Sequence, residues 1–488
     1  MLPSSVSPTA WTDPTIIQGG MGVGVSGWRL ARAVASSGQL GVVSGVGLDT
    51  QLARRLQLGD PGGHLRRGLA HFPFPGVAEQ ILERYYAPRP VGSPHAFRLT
   101  PVSSLRASKA AAQLVVAANF VEVFLAKEGH GGPVGVNHLE KLQMATPAAL
   151  YGAMLAGVDH VLVGAGIPTE IPALLTDLAA GRPGRVTVDV AGGSDPPRRV
   201  VVDPAGLFGA ATEMPRPRFL AIVSSDVLAG FLARDDRTRP DGFVIEAPGA
   251  GGHNAPPRGR LPLSDTGEPV YGPRDVVDLA KVGALGLPYW LAGGQAAPGR
   301  LDAARAGGAA GIQVGSAFAL CEESAMDPSL KREVIDRWFA GTLQVRTDPA
   351  ASPTGFPFKV AQLPRTVAEA SVYDRRPRIC DLGYLRLPYR RADATIGYRC
   401  PAEPVGAYLR KGGRLDDTVG RRCLCNGLMA TIGLGQRRRG RPDEPPIVTI
   451  GQDLAFLGDL ASAPDRRYRA ADVLAYLLRP AGPQGAHR

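Results

Sequence analysis

The chain has 488 residues, 44% of them apolar and 20% charged, which excludes a disordered or collagen-like polymer and leaves room for one large barrel with additional structure. The N-terminal stretch has neither a basic segment nor an apolar one, and no run of 18 apolar residues occurs, so neither a secretory signal nor a membrane span is expected. Five cysteines suit a reducing compartment, and the cytoplasm is the expected location. The formal net charge of +11 is compatible with an acidic partner such as nucleic acid. The one obvious basic run, Gln436-Arg437-Arg438-Arg439-Gly440-Arg441, is short and set among Gly and Pro, so it reads as solvated surface.

In chain order, short Val- and Ile-rich runs alternate with Ala- and Leu-rich segments of helical spacing. Strands are expected at 15–18, 40–44, 134–137, 160–164, 219–224, 242–247, 289–293 and 311–315, with helices near 27–37, 273–282 and 299–307. Continuous apolar runs are what strands buried on both faces require. Eight such units point to an α/β fold, a closed (β/α)8 TIM barrel, more than to an open doubly wound sheet.

Three stretches exceed a minimal barrel. Residues 50–112 carry Pro61-Gly62-Gly63, Phe72-Pro73-Phe74-Pro75 and Pro88-Arg89-Pro90 and read as a long excursion. Residues 185–203 read as an inserted hairpin around Gly192-Gly193. The run 348–355 reads as a boundary between a barrel with insertions (1–350) and a cysteine-containing extension (351–488).

Functional groups of such a barrel sit just after the strands. The first strand ends in Gln18-Gly19-Gly20-Met21, where glycines either make a tight turn or let the backbone approach a flat ligand. The seventh and eighth end in Gly293-Gly294 and Gly315-Ser316, loops whose N–H groups can cradle a phosphate. The sixth leads through Glu246-Ala247-Pro248-Gly249-Ala250-Gly251-Gly252 to His253, placed at the rim for proton transfer near neutral pH. His138, Lys141 and Glu246 are further polar rim residues, for which an ion pair or a solvated site is the plainer reading.

These motifs occur in the order found in the nitronate monooxygenase (2-nitropropane dioxygenase) family. The chain resembles that family over about residues 14–345, through Gln18 to Gly22, Gly135-Val136-Asn137, Ala250 to His253, Ala292 to Gly294 and Gln313 to Phe318. It is also similar to the related flavin-dependent enoyl-acyl-carrier-protein reductases. The resemblance implies an FMN-dependent oxidoreductase that oxidises alkyl nitronates or nitroalkanes with O₂ to carbonyl compounds and nitrite. It implies that Gly20 and Met21 pack by the flavin ring, that Asn137 and Gly252 belong to the cofactor site, and that Gly293, Gly294, Gly315 and Ser316 hold the FMN phosphate. His253 would be the catalytic base.

Two other readings stand beside it: an enoyl-acyl-carrier-protein reductase using NAD(P)H, with an acidic carrier as partner, and a flavin-fold nucleic-acid-binding protein. The chain departs from the family's Gln-Ala-Pro-Met at the first strand, lengthens the sixth loop by Pro248-Gly249-Ala250, and has Gln295 where isoleucine is common. Cys380, Cys400, Cys423 and Cys425 could ligate zinc or an iron–sulfur cluster. Their spacing argues against it, so no metal ligands are assigned from sequence. Cys321 reads as packing.

Overall fold

Eight parallel strands close on themselves in the computed structural model, which describes residues 13–87, 96–259, 261–437 and 442–481. Residues 1–12, the 88–90 prolines and the 438–441 part of the basic run lie outside these. The strands are β1 (Ile16–Gln18), β2 (Leu40–Ser44), β3 (Val134–Leu139) and β4 (His160–Gly164). After a hairpin of β5 (Gly184–Thr187) and β6 (Arg199–Val202) come β7 (Arg218–Val223), β8 (Gly242–Glu246), β9 (Tyr289–Ala292) and β10 (Gly311–Val314). The order around the barrel is β1-β10-β9-β8-β7-β4-β3-β2, closed by β1 beside β10 with Ile16 opposite Ile312. Each expected strand and the 185–203 hairpin are present.

Successive side chains of a strand point to opposite faces, and the core divides accordingly. Ile17, Val42, Leu162, Leu220, Val244 and Trp290 pack together inside the barrel. Their neighbours Ile16, Val43, Val161, Phe219 and Phe243 face the surrounding helices. Trp290 is fully buried, and its Nε1–H is satisfied by the Pro14 carbonyl at 2.6 Å.

The 50–112 excursion is largely helical: Leu48–Gln57, His64–Ala70 and Pro75–Tyr85 precede the long helix Lys109–Lys127. Pro75 opens its helix in the first turn, where a missing N–H costs nothing. The phenylalanines beside it anchor the excursion, Phe74 stacking on Phe208 at 4.0 Å and Phe72 meeting Phe120 edge-on at 5.2 Å. Lys109–Lys127 is long and apolar enough to cross a membrane by length and composition, but most of it is buried against the barrel. Within it, Glu122 accepts from the Trp28 N–H at 2.7 Å and pairs with Arg55 at 3.6 Å.

Residues beyond 350 return to the barrel. β11 (Val345–Asp348) and β12 (Phe358–Ala361) form an antiparallel hairpin whose connection, residues 349–357, takes in most of the 348–355 run read as a boundary. A second hairpin, β13 (Leu387–Arg390) and β14 (Ile396–Arg399), follows. Val448, Ile450, Phe456, Val473 and Leu477 then join the core around the barrel. Tyr384 donates to the buried Asp49 carboxyl at 2.5 Å, and Arg54 donates to the Leu434 carbonyl at 2.6 Å.

Candidate active site at the barrel mouth

A cavity of about 380 Å³ opens where the strands end, within the size range of small-molecule sites. Gly20, Met21, Asn137, Gly252, His253, Gly293, Gly294, Gly315 and Ser316, all expected at a site, border it.

The β1 loop is held by an amide. Gln18 Nε2 donates to Ser26 Oγ (3.0 Å) and the Val42 carbonyl (3.2 Å), and its Oε1 accepts from the Val42 N–H at 3.0 Å. Ser26 Oγ in turn accepts from the Met21 N–H at 3.0 Å. Gly20 passes so close to β3 that an added Cβ would stand 2.4 Å from Asn137 Cβ. Close approach, rather than a turn, therefore decides this glycine. Asn137 is fixed by its own bond to the Leu162 carbonyl at 3.2 Å.

On the opposite side, Gly252, Gly293 and Gly294 adopt φ values of 82°, 85° and 68°, which glycine accommodates without strain. Added Cβ atoms at Gly252 and Gly294 would meet nothing within 4 Å. Residues after β4 and β7 line part of the remaining wall, and the extension supplies the rest, which the sequence did not reveal. The Gly451 N–H donates to Ser316 Oγ at 2.7 Å, and the Gly252 N–H donates to Thr449 Oγ1 at 2.9 Å. Gly251 lies against this strap so tightly that a Cβ would come within 2.8 Å of the Ile450 carbonyl carbon.

His253 Nε2 lies 2.7 Å from Ser352 Oγ, and Ser352 Oγ lies 2.7 Å from Thr354 Oγ1. The ring is edge-on to Phe358 at 4.9 Å. This apolar setting pushes the imidazole down to about 4, so it is neutral at physiological pH. Ser352 belongs to the 348–355 run, so that segment places the histidine's partner.

Of the other rim candidates, Lys141 is engaged by Glu140 at 3.1 Å and Asp189 at 3.5 Å, the ion pair that was the plainer reading. His138 borders the cavity, but its ring packs under Gly45 beside a second, small void lined by Val115 and Asn119. Glu246 lines the cavity, and burial raises its carboxyl to about 8. Near it is a residue absent from the sequence reading, Lys359, whose Nζ donates to Thr347 Oγ1 at 2.7 Å. Burial lowers that ammonium to about 8.

Gln313 was also missed as a site residue. Its Oε1 is buried at the cavity wall without a hydrogen-bond partner. A buried acceptor of this kind calls for a donor from whatever fills the space. Together with the open glycine loops, it fits a flat, hydrogen-bonding ring carrying a phosphate.

No curated protein matches the chain in sequence. Among solved structures, a nitroalkane oxidase from Streptomyces ansochromogenes aligns at 17% identity over 95% of this chain and 94% of that one, with a TM-score of 0.42. A mutant form of FabK from Thermotoga maritima aligns at 16% identity over 96% and 91%, with a TM-score of 0.41. Residues 223–349 match the family model described as nitronate monooxygenase, a stretch that holds His253, Gly293, Gly294, Gly315 and Ser316. This match bears out the resemblance read from the sequence: the chain carries, on the His253 side of its cavity, the pattern of the nitronate monooxygenase family of oxidoreductases.

Proposed function

We propose that the protein is an FMN-dependent oxidoreductase that takes nitroalkanes and alkyl nitronates. The observation that carries this reading is the placement of His253 and the glycine loops of β8, β9 and β10 on one cavity, inside the stretch that matches the family. Gly293, Gly294, Gly315 and Ser316 would hold the phosphate, with Gly20, Met21, Asn137 and Gln313 around the ring. Bound FMN would supply two-electron acceptance and, once reduced, reaction with O₂, so that a carbonyl compound and nitrite leave.

The chain's own part is orientation and proton transfer. With Nε2–H donating to Ser352 Oγ, and Ser352 in turn to Thr354, the Nδ1 lone pair of His253 is left to act as base. It takes the proton from the substrate's α-carbon, and the C–H electron pair stays on the substrate as the nitronate. Met21, Ile222, Leu228 and Phe356 give an apolar lining.

The test is anaerobic mixing of the yellow protein with nitroalkanes, their nitronates, NADH and NADPH, followed by nitrite assay in air. Reduction by the nitro compounds and release of nitrite are expected, and heat should release FMN. Bleaching by NAD(P)H alone would move the assignment to an enoyl-acyl-carrier-protein reductase. FAD, or no flavin after reconstitution, would overturn both.

A further inference from the structure

The small void behind β3 has a volume of about 20 Å³, room for one water molecule. His138, Asn119, Asp49 and Tyr384 are among the residues that border it. Two of them bring buried atoms with no hydrogen-bond partner among the described residues, His138 Nε2 and Asn119 Oδ1. His138 is 2% exposed and Asn119 1%. Asn119 Nδ2 donates to the Val115 carbonyl at 2.9 Å, which leaves its oxygen unmatched. Buried polar atoms of this kind call for a partner, and a shared water suits both. The imidazole reaches this place because residue 45 is glycine, where a Cβ would stand 2.3 Å from His138 Cε1.

On its far side the void meets a chain of hydroxyls. The buried Asp49 carboxyl accepts from Tyr384 at 2.5 Å. The Tyr384 hydroxyl lies 2.6 Å from Thr50 Oγ1, which lies 3.0 Å from Thr100 Oγ1. Asp49, Thr50 and Tyr384 are buried, whereas Thr100 is half-buried. An ionised carboxylate only accepts, so the hydroxyls have one consistent order, Thr100 to Thr50, Thr50 to Tyr384 and Tyr384 to Asp49. In that order each hydroxyl hands a proton inward and receives one from the next.

We propose that the void binds one water molecule, and that this water joins His138 to the Asp49–Tyr384–Thr50–Thr100 chain as a proton path from the surface to the cavity. The water donates to Asn119 Oδ1 and shares a hydrogen bond with His138 Nε2, matching both buried atoms. His138 borders the large cavity as well as the void. A neutral imidazole takes a proton at one nitrogen and releases one at the other, so it passes a proton across the wall. Every member gains one proton and gives one, and the path is left unchanged. Its role rests on the proposed function. Two electrons passed from reduced flavin to O₂ call for two protons to form hydrogen peroxide, and the path brings protons from solvent for that step. His253, with Ser352 and Thr354, serves the substrate's α-carbon instead.

Two readouts test the proposal. A high-resolution crystal structure should show an ordered water between His138 and Asn119. A void without one overturns the site, whether or not the protein carries flavin. For the path, flavin reduced with dithionite is mixed with O₂ in a stopped-flow instrument. Tyr384→Phe removes a hydroxyl and keeps the ring. It should slow reoxidation at least about tenfold, and imidazole added to the buffer should restore the rate. Thr50→Val breaks the next link and takes its place if Tyr384→Phe does not fold. Tyr408→Phe, whose hydroxyl meets Asp417 away from the chain, should reoxidise as the parent does. A folded Tyr384 or Thr50 variant with the parent's rate overturns the path. So does a loss that imidazole leaves in place, which is what a merely structural change gives. Dithionite stands in for the substrate, so a failure of the nitroalkane reading leaves this outcome intact. A protein without flavin ends the path's role together with the proposed function, and the crystal structure alone then decides the water site.

Discussion

The two sides of the cavity mouth are built in different ways. On the side of β8, β9 and β10, each wall is a short loop following its own strand, so position in the sequence and position in the site coincide. On the other side, the walls are segments of the extension that travel back: Ser352 reaches His253 across 99 residues, and Thr449 reaches Gly252 across 197. The first side carries the chemistry proposed here. The second positions it and closes the end of the cavity at Ser316, where the phosphate is proposed to sit. If that division holds, substitutions on the two sides should fail in different ways.

The largest effect is expected at His253. His253→Ala should keep FMN bound, because the loops proposed to hold its phosphate lie on β9 and β10. It should slow flavin reduction by neutral nitroalkanes about 10² to 10⁴-fold, the usual contribution of a general base. Nitronates have already lost the proton and should suffer less. Stopped-flow reduction with matched nitroalkane and nitronate pairs makes the contrast. Equal losses with both would reduce His253 to a binding role, and no loss with either would remove it from the mechanism.

A smaller effect, and of the other kind, is expected where the strap meets the rim. In Gly251→Ala the new Cβ would come within 2.8 Å of the Ile450 carbonyl carbon and 2.9 Å of Gly451 N, so backbone must move. Overpacking of this sort costs about 1–3 kcal/mol. If the strap shifts from Ser316, FMN affinity should fall about 5- to 150-fold, while bound FMN is still reduced at near the parent rate. Fluorescence titration of the apoprotein with FMN measures this. Unchanged affinity would mean that the strap is packing and not part of the phosphate wall.

What the sequence made legible follows the same line. The barrel strands and rim glycines are local signals, an apolar run and then a turn, and all eight strands were found where expected. Asn137 ends one of those strands, but its place in the site came from the resemblance to the family rather than from a local signal. His138, the next residue, borders the cavity but turns its ring under Gly45, because consecutive strand residues face opposite ways. Ser352 and Thr449 gave no signal, since a serine in a Pro-Gly-rich run is what any loop contains. Gln18 and Gln313 were visible within motifs, but their roles depend on amide contacts that appear only when β1, β2 and β10 are side by side. The Phe-Pro repeat at 72–75 read as loop punctuation because proline marks both turns and helix starts.

The smallest effect tests the wall between the two sides, where Glu246 of β8 faces the extension's Lys359. Burial raises the Glu246 carboxyl from 4.5 to about 8, so between those values the folded protein keeps a proton that the unfolded chain has released. Stability must then fall as pH rises through this window, by at most about 1.4 kcal/mol per unit, less whatever water in the cavity screens. Lys359, lowered to about 8, works in the opposite sense but only above that pH, where the unfolded chain holds the extra proton. His253 and His138, both lowered to about 4, also oppose Glu246 between pH 4 and their ordinary value of 6.5. The parent's own pH profile therefore mixes these groups, whereas the difference between parent and Glu246→Gln isolates the carboxyl. Urea unfolding of both proteins at pH 5.5 and pH 8 should show the glutamine variant gaining on the parent as pH rises. An identical gap at the two pH values would mean that Glu246 ionises normally and that the cavity wall is wetter than its lining suggests.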